Sequence, residues 1–200
     1  MPPLEPTDAA AEEGVPEHRI DELLRLGTEA WNEFSRRRQG TFHTFIPADQ
    51  REAYGELLRL RGRASSFLEL GSGVGVITVL ADLLGYDAYG IEIEPELVAA
   101  SEDLAARLDS GATFVSGSFV PPDYRDEVDL LPGDWVTVCE GADAYEELGM
   151  DLSDFDLVYA YPWPGEEDWL SELVRRHAGP HTTLLTYVAG EGFLVSQPGG

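Results

Sequence analysis

The sequence predicts an α/β fold built on a mostly parallel sheet. Buried strands and amphipathic helices alternate from residue 65 onward, and the first strand runs directly into a glycine-rich turn. The chain has 200 residues, of which 43% are hydrophobic, so it can bury the core of one domain. This composition excludes a disordered acidic polymer in spite of a formal net charge of −25.

The region before the sheet is predicted to be a tail followed by two helices. Residues 1–17 are rich in Pro, Ala and Glu, and we expect a disordered acidic tail there. Apolar residues recur at helical spacing over 20–34 and again over 48–60, with Pro47 in the first turn of the second helix. Residues 18–63 are therefore expected to form a helical cap with an arginine-rich linker.

Residues 64–200 are predicted to form the sheet domain. Its strands are expected at 66–70, 87–93, 112–116, 154–161 and 181–189. Its helices are expected at 74–84, 96–108 and 166–177. The segment 120–153 is longer than a plain crossover requires, and it is expected to hold a short strand at 136–139 and a helix near 145–148. Either this segment forms part of a substrate site or it is a solvated loop.

Charge is distributed unevenly along the chain. Residues 64–200 hold 26 acidic residues and four arginines, a net of −22, whereas residues 34–63 hold seven arginines and three acidic residues, a net of +4. Nucleic acid is an improbable partner for such a molecule, because phosphate binding needs a continuous basic face. The basic segment either docks on the acidic body or receives an anionic substrate.

The sequence also indicates in which compartment the protein resides and whether it binds a metal. No window approaches the roughly 18 apolar residues of a membrane span, and the first residues lack the basic start and apolar run of a signal peptide. We therefore expect a cytoplasmic protein that does not enter a membrane. The one cysteine, Cys139, excludes an intramolecular disulfide and a multi-cysteine metal site, and no metal is expected.

The most informative stretch is 69–94. Three glycines, Gly71, Gly73 and Gly75, lie in a tight turn between a strand and a helix, where bare backbone can approach a ligand and the helix N-terminus adds amide donors. Glu92 ends the next strand, 21 residues after Gly71, at the place where an acid commonly binds the two hydroxyls of a ribose. Together these residues predict a nucleoside site.

The spacing of the glycines bears on which nucleoside binds. A dinucleotide site favours G-x-G-x-x-G, which needs glycine at the position that Val76 occupies. The string here is E-x-G-x-G-x-G and begins at Glu69. A carboxylate at this point repels phosphate and attracts an ammonium group. An NAD-dependent oxidoreductase is therefore disfavoured.

These residues, together with the strings GSFVPPDY and FDLVYAYPWPGEE, resemble the motifs of class I S-adenosylmethionine-dependent methyltransferases over about 65–188. The resemblance implies a Rossmann-like sheet with helices on both faces and S-adenosyl-L-methionine as cofactor. It implies that Glu69 lies near the amino group of the cofactor and Glu92 on its ribose. The other cofactor-binding residues that it implies are Gly71, Ser72, Gly73, Gly75, Ile93, Ser118 and Phe119.

The chain departs from the pattern of this family in two places that concern the sheet. The third strand usually ends in Gly-Asp, whose acid faces the adenine, but here Ser118 follows Gly117. The adenine contact is expected from Ser118 or from Asp143, and Phe119 can cover the ring. The residues after the fifth strand are too few for the two-strand hairpin that usually closes the sheet, so we expect a shortened C-terminal end.

The residues at the end of the fourth strand, where the family binds the methyl acceptor, also differ from the family pattern. The fourth strand ends in Tyr161, and Pro162 and Trp163 come next, where methyltransferases of exocyclic amines carry Asn or Asp, Pro-Pro and an aromatic residue. Tyr161 has no amide or carboxylate, which argues against an exocyclic-amine acceptor. Tyr161 and Trp163 are candidate catalytic residues as walls of an aromatic pocket. The alternative is that they only pack a rigid loop.

His43 is the third candidate catalytic residue, as a general base whose pKa ordinarily lies near neutrality. A structural role for this histidine between two phenylalanines is the alternative. Glu166 and Glu167 are expected to favour the first turn of a helix, with a role as base as the alternative. In-line methyl transfer depends mainly on alignment, so a base is dispensable.

The sequence therefore predicts an S-adenosylmethionine-dependent methyltransferase that acts on a small-molecule or protein acceptor. The alternative is a non-catalytic module that binds S-adenosylmethionine or another nucleoside.

Overall fold

A computed structural model describes residues 14–37, 48–130 and 137–197. The helices in this part of the chain are α1 (Glu17–Arg37), α2 (Gln50–Leu60), α3 (Val76–Leu83), α4 (Pro95–Arg107), α5 (Pro122–Leu130), α6 (Ala144–Leu148) and α7 (Glu167–His177). The strands are β1 (Ser66–Leu70), β2 (Asp87–Glu92), β3 (Thr113–Ser116), β4 (Leu157–Ala160), β5 (Thr183–Val188) and β6 (Gly192–Ser196).

The six strands form one sheet in the order β3-β2-β1-β4-β5-β6. The first five are parallel, and β6 runs antiparallel to β5. The chain moves from β1 outward to β3 and then returns to the other side of β1 for β4. The order therefore reverses between β1 and β4, and a crevice at the carboxyl ends of these strands is the usual ligand position in such sheets.

Helices cover both faces of the sheet, as the sequence predicts. Successive strand residues point to opposite faces. Phe67 and Tyr159 belong to a core that includes residues of α1, α2, α3 and α4. Their neighbours Leu68 and Val158 belong to a second core, with residues of α5, α6 and α7. The alternation explains why the strands read as almost continuous apolar runs, since both of their faces are buried.

The N-terminal helices are part of one of these layers. The helix α1 packs on α3 and α4, and α2 packs on α3. The side chain of Asp49 caps α2 by accepting hydrogen bonds from the backbone N–H groups of Arg51 and Glu52, both at 3.0 Å. Pro47 and most of the predicted tail lie outside the described residues, and α1 begins at Glu17.

The segment between β3 and β4 differs from its prediction. The predicted helix near 145–148 is confirmed as α6, but 137–139 forms no strand, and residue 136 lies outside the described residues. The backbone N–H of Thr137 donates to the carboxylate of Glu166 at 3.1 Å instead of to a neighbouring strand. The excursion that precedes it contains α5, which buries Tyr124 and Val128 one helical turn apart.

The C-terminal end of the sheet holds one strand that the sequence analysis did not assign. Gly190 and Gly192 both have a φ of 86°, a left-handed conformation that glycine adopts without strain. This turn returns the chain along β5 and pairs β6 with it, from Leu184 opposite Ser196 to Val188 opposite Gly192. A single antiparallel strand therefore ends the sheet.

Candidate functional site

A cleft of about 710 Å³ lies at the carboxyl ends of β1, β2 and β4. It coincides with the point where the strand order reverses, and its volume is within the range of ligand pockets, roughly 300–1,000 Å³. The residues of the sequence prediction that line it are Glu69, Gly71, Ser72, Gly73, Glu92, Ile93, Ser118, Phe119, Tyr161 and Trp163. His43 lies outside the described residues. Fold and motif thus converge on one concave site.

The turn after β1 presents bare backbone to this cleft. The N–H groups of Gly71 and Ser72 both donate to the carbonyl of Ile91 at 2.9 Å, which ties the turn to β2. Gly71 and Gly73 have φ values of 77° and 55°. A Cβ atom at Gly73 would meet nothing within 4 Å, and one at Gly71 would meet only the Phe119 ring at 4.0 Å. These two glycines border open space that a ligand can occupy.

The third glycine of the motif has a different environment. Gly75 does not line the cleft, although the sequence analysis named it as a cofactor-binding residue. It is the N-cap of α3, with a φ of 78°. A Cβ atom here would lie 2.7 Å from Cζ of Phe114 and 2.7 Å from Cβ of Ser101. The structure therefore explains Gly75 by close packing between α3, β3 and α4.

Glu69 is a buried carboxyl group in the wall of the cleft. Its Oε2 atom accepts hydrogen bonds from the backbone N–H of Thr78 at 2.9 Å and from the Thr78 hydroxyl at 2.5 Å. Burial raises the pKa of Glu69 to about 8, although the Thr78 hydrogen bonds act in the opposite direction. A cationic group in the cleft would restore the ionised form. The arrangement therefore favours a ligand with an ammonium group.

Glu92 connects the end of β2 to the glycine turn. Its Oε2 accepts a hydrogen bond from the N–H of Gly73 at 2.9 Å, and its Oε1 accepts one from the N–H of Glu94 at 3.0 Å. Burial raises the pKa of this carboxyl group, while the backbone hydrogen bonds oppose the shift. Each carboxylate oxygen has a second lone pair, so Glu92 can still accept bonds from ligand hydroxyls.

Of the two residues that the sequence predicts for an adenine contact, Ser118 lines the cleft and Asp143 does not. Ser118 lines the cleft and is buried, and its hydroxyl accepts a hydrogen bond from the Val120 N–H at 3.2 Å. Asp143 does not line the cleft, because its side chain caps α6 by accepting from the Tyr145 N–H at 3.0 Å. Phe119 lines the cleft and stacks on Trp169, with ring centroids 6.5 Å apart and planes 8° apart. Ser118 and Phe119 therefore border the cleft, and Asp143 does not.

The opposite part of the site has aromatic walls. Tyr161, Pro162 and Trp163 line the cleft after β4, and Trp31 of α1 lines it as well. The Tyr161 ring meets the ring of Tyr187 edge-on, with centroids 5.0 Å apart and planes 88° apart. Burial raises the pKa of Tyr161, so its hydroxyl stays protonated at neutral pH.

The two carboxylates at the start of α7 are occupied by neighbouring groups and do not line the cleft. Glu166 is buried, and its carboxylate accepts from both the N–H and the hydroxyl of Thr137. Glu167 accepts from the N–H of Gly165 at 2.8 Å. Because Thr137 and Val138 line the cleft, Glu166 fastens this part of the wall to α7.

Sequence reasoning missed several residues of the site. Trp31 carried only the periodic signal of a helix face, and no local motif marks Thr28, Gln50, Thr137 or Val138, although all of these line the cleft. They come from segments that are distant in sequence. Only the packing of α1 on α3 and α4, and the contact between Thr137 and Glu166, brings them to the glycine turn.

The charges around the cleft are few. Among the described lining residues the charged side chains are Glu69 and Glu92. Within the described ranges, no cluster of three or more His, Cys, Asp or Glu is arranged to hold a metal ion, and no helix is long and apolar enough to cross a membrane.

The sequence matches no protein-family model and no curated protein. The structure is similar to an O-methyltransferase from Bacillus cereus in complex with SAH, with a TM-score of 0.52, 12% identity, and coverage of 86% of this chain and 66% of that chain. It is similar to a cofactor-bound protein from MTB, with a TM-score of 0.51, 15% identity, and coverage of 86% and 65%. An RNA methyltransferase from Salinibacter ruber in complex with S-adenosyl-L-homocysteine matches with a TM-score of 0.49, 20% identity, and coverage of 70% and 76%.

The two matches with TM-scores above 0.5 show that the chain has the Rossmann-like fold of these proteins. This confirms the fold class that the sequence predicts. The chain spans slightly less than two thirds of the length of both structures.

Proposed function

We propose that the protein is an S-adenosylmethionine-dependent methyltransferase that acts on a small-molecule or protein acceptor. The observation that carries the proposal is the convergence of an open glycine turn and two buried carboxyl groups, Glu69 and Glu92, on one cleft. The fold shared with a methyltransferase in complex with SAH supports it. A cytoplasmic location remains a prediction.

The residues that line the cleft fit this cofactor. Gly71 and Gly73 leave space that any side chain would narrow. The Ser72 hydroxyl is buried and has no hydrogen-bond partner among the described residues. A bound ligand would supply that partner. Glu69 suits an amino group rather than a phosphate, because its carboxyl group regains its charge beside a cation.

The roles follow from the positions of these residues. Glu69 would hold the amino group of the cofactor, and Glu92 would accept hydrogen bonds from the ribose hydroxyls. Ser72 and Gly73 would contact the part of the cofactor that lies between its amino group and its ribose. Ser118 and Phe119 would bind the adenine, by a hydrogen bond and by contact with the ring.

The protein contributes mainly binding and alignment. When bound, S-adenosylmethionine supplies a methyl group on a cationic sulfur, and a nucleophile takes the methyl while the carbon–sulfur electron pair stays on sulfur. The aromatic residues Tyr161 and Trp163 exclude water and orient the acceptor. Alignment of this kind contributes about 7–11 kcal/mol in well-oriented reactions, so it can supply most of the acceleration without a general base.

A non-catalytic module that binds the same nucleoside is the second candidate. The observation in its favour is that, among the described lining residues, the carboxyl groups of Glu69 and Glu92 already accept hydrogen bonds from Thr78, Gly73 and Glu94. Neither is poised to remove a proton from an acceptor. Measured turnover distinguishes this candidate from the enzyme.

Calorimetric titration with S-adenosylmethionine and with S-adenosylhomocysteine tests the proposal. We expect Glu92→Ala and Gly73→Arg to weaken both ligands by at least about 100-fold, because one loses the ribose acceptor and the other fills the turn. Glu102→Ala, an exposed acid on α4, and Gly149→Arg, a left-handed glycine with open space around it, are matched controls. Unchanged affinity in both site variants would contradict the proposal.

Turnover is measured separately. Purified protein with S-adenosylmethionine and a cell extract should form S-adenosylhomocysteine, and Glu92→Ala should not. Binding without turnover in any extract would favour the non-catalytic module.

A further inference from the structure

The aromatic part of the cleft has rigid, flat walls. Tyr161 and Trp163 flank Pro162, whose ring fixes its own backbone angle. The edge-on contact of Tyr161 with Tyr187 is continued by Phe193, whose ring centroid lies 4.9 Å from that of Tyr187. These contacts hold the Tyr161 ring from behind. Aromatic surfaces of this kind bind other flat rings in stacked or edge-on geometry.

Among the described residues, the cleft has no cationic side chain to receive an anion. None of the described lining residues is an arginine. Arginines of the basic segment 34–63 bind acids of the N-terminal helices instead. The pairs are Arg36 and Arg37 with Glu33, Arg51 with Glu17 and Asp21, and Arg59 with Glu56.

The net negative charge of residues 64–200 disfavours the binding of an anion as well. Residues 64–200, which contribute most of the residues that line the cleft, carry a formal net charge of −22. Like charges repel most strongly where water is excluded. The polar groups that remain on this side, such as the amide of Gln50 and the hydroxyl of Thr137, are neutral.

We propose that the methyl acceptor is a planar aromatic molecule that carries no negative charge, bound between Trp31, Tyr161 and Trp163. This inference rests on the proposed methyltransferase function. The acceptor atom uses its lone pair to form the new bond to the methyl carbon. The carbon–sulfur electron pair leaves with sulfur, and a proton on the acceptor atom passes to water. Of the two interpretations of the basic segment, the proposal favours docking on the acidic residues of the protein, because the acceptor that it names carries no negative charge.

Three probes of similar size test the inference on protein saturated with S-adenosylhomocysteine. They are naphthol, which is planar and neutral, naphthoate, which is planar and anionic, and decalol, which is neutral but not planar. We expect calorimetry to show that naphthol binds at least about tenfold more tightly than naphthoate or decalol. Naphthoate or decalol binding as tightly as naphthol would overturn the inference. This comparison uses the unmodified protein and does not depend on how any variant folds.

Variants then locate the binding site. Trp163→Leu and Trp31→Leu should each weaken naphthol at least about fivefold and leave the S-adenosylhomocysteine affinity unchanged. Tyr54→Leu makes the same kind of change on α2, at a residue that does not line the cleft, and should alter neither affinity. Naphthol binding that survives both tryptophan substitutions would overturn the inference.

The two proposals can fail separately. Tight binding of S-adenosylhomocysteine without a preference for naphthol contradicts only the acceptor class. No binding of S-adenosylhomocysteine contradicts the proposed function itself.

Discussion

The two sides of the cleft are built in different ways. The glycine-turn side comes from one continuous stretch, residues 69–94, and consists of backbone groups and buried carboxyl groups bonded to their neighbours. The aromatic side comes from α1, from Thr137 and Val138, and from the residues after β4. It consists of side chains, one of which, Val138, is 56% exposed. Backbone geometry thus defines the first side, and long-range packing assembles the second.

The sharpest test of this comparison separates the glycines of the motif. Gly75→Ala should destabilise the fold by roughly 3–5 kcal/mol, since its methyl group meets Phe114 and Ser101 and its φ is left-handed. Gly73→Ala should cost only about 1 kcal/mol of left-handed strain but weaken cofactor binding, because its methyl group enters the cleft. Urea unfolding and calorimetry measure the two effects.

The matched control is Gly149→Ala, which has a φ of 64° and open space around it. It should show the strain of Gly73→Ala without the loss of cofactor binding. If Gly75→Ala proves as stable as this control, the packing explanation of the third glycine is wrong.

The second prediction concerns the stability of the ligand-free protein against pH. The pKa of Glu69 is raised from 4.5 to about 8 in the folded state, so the folded protein holds this proton when the unfolded chain has released it. Stability is therefore lost as the pH rises from about 4.5 to about 8, by as much as about 5 kcal/mol from this group. Glu69→Gln should reduce this loss, which thermal unfolding at several pH values measures.

Glu102→Gln removes the same charge from the surface and serves as the control. Saturating S-adenosylmethionine should also reduce the loss in the unmodified protein, because its amino group favours the ionised carboxylate. Identical pH profiles for Glu69→Gln and Glu102→Gln would show that Glu69 has no such role.

The third prediction tests whether the two sides are independent. Glu166→Gln leaves one oxygen to accept the two hydrogen bonds from Thr137, so the variant should lose about 1–3 kcal/mol of stability. Its affinity for S-adenosylhomocysteine should stay within about twofold of the unmodified protein, because the Glu166 carboxylate accepts from Thr137 and does not line the cleft. Glu167→Gln, at the neighbouring position, is the control for charge. If Glu166→Gln lost cofactor affinity as well as stability, the glycine-turn side and the aromatic side of the cleft would not be independent.

The smallest expected effect is that of Tyr161→Phe. The raised pKa keeps the Tyr161 hydroxyl protonated at neutral pH, so it does not serve as a base. The ring contact with Tyr187 is retained by phenylalanine. We expect turnover to fall by less than about threefold at every pH between 6 and 9, with unchanged cofactor affinity. A large loss of turnover that depends on pH would assign proton transfer to this hydroxyl.

Local pattern was enough to predict five of the six strands and the turn after β1. Periodicity and glycine spacing report on contacts between residues close in sequence, and these contacts dominate in a β-α-β unit. The strand β6 escaped prediction because Phe193, Leu194 and Val195 form a short apolar run without alternation. The segment 137–139 was predicted to be a strand and is not one. Its apolar residues have other roles, because Val138 lines the cleft and Cys139 packs in the core.

The sequence by itself determined the fold class, the position of the glycine turn and the place of Glu69 and Glu92 at the ends of adjacent strands. These follow from backbone geometry, which local residues dictate. Only the tertiary structure decided that Gly73 borders the cleft while Gly75 fits against Phe114, and that Trp31 of α1 lines the same cleft as Trp163. Such contacts depend on the packing of elements that lie far apart in sequence.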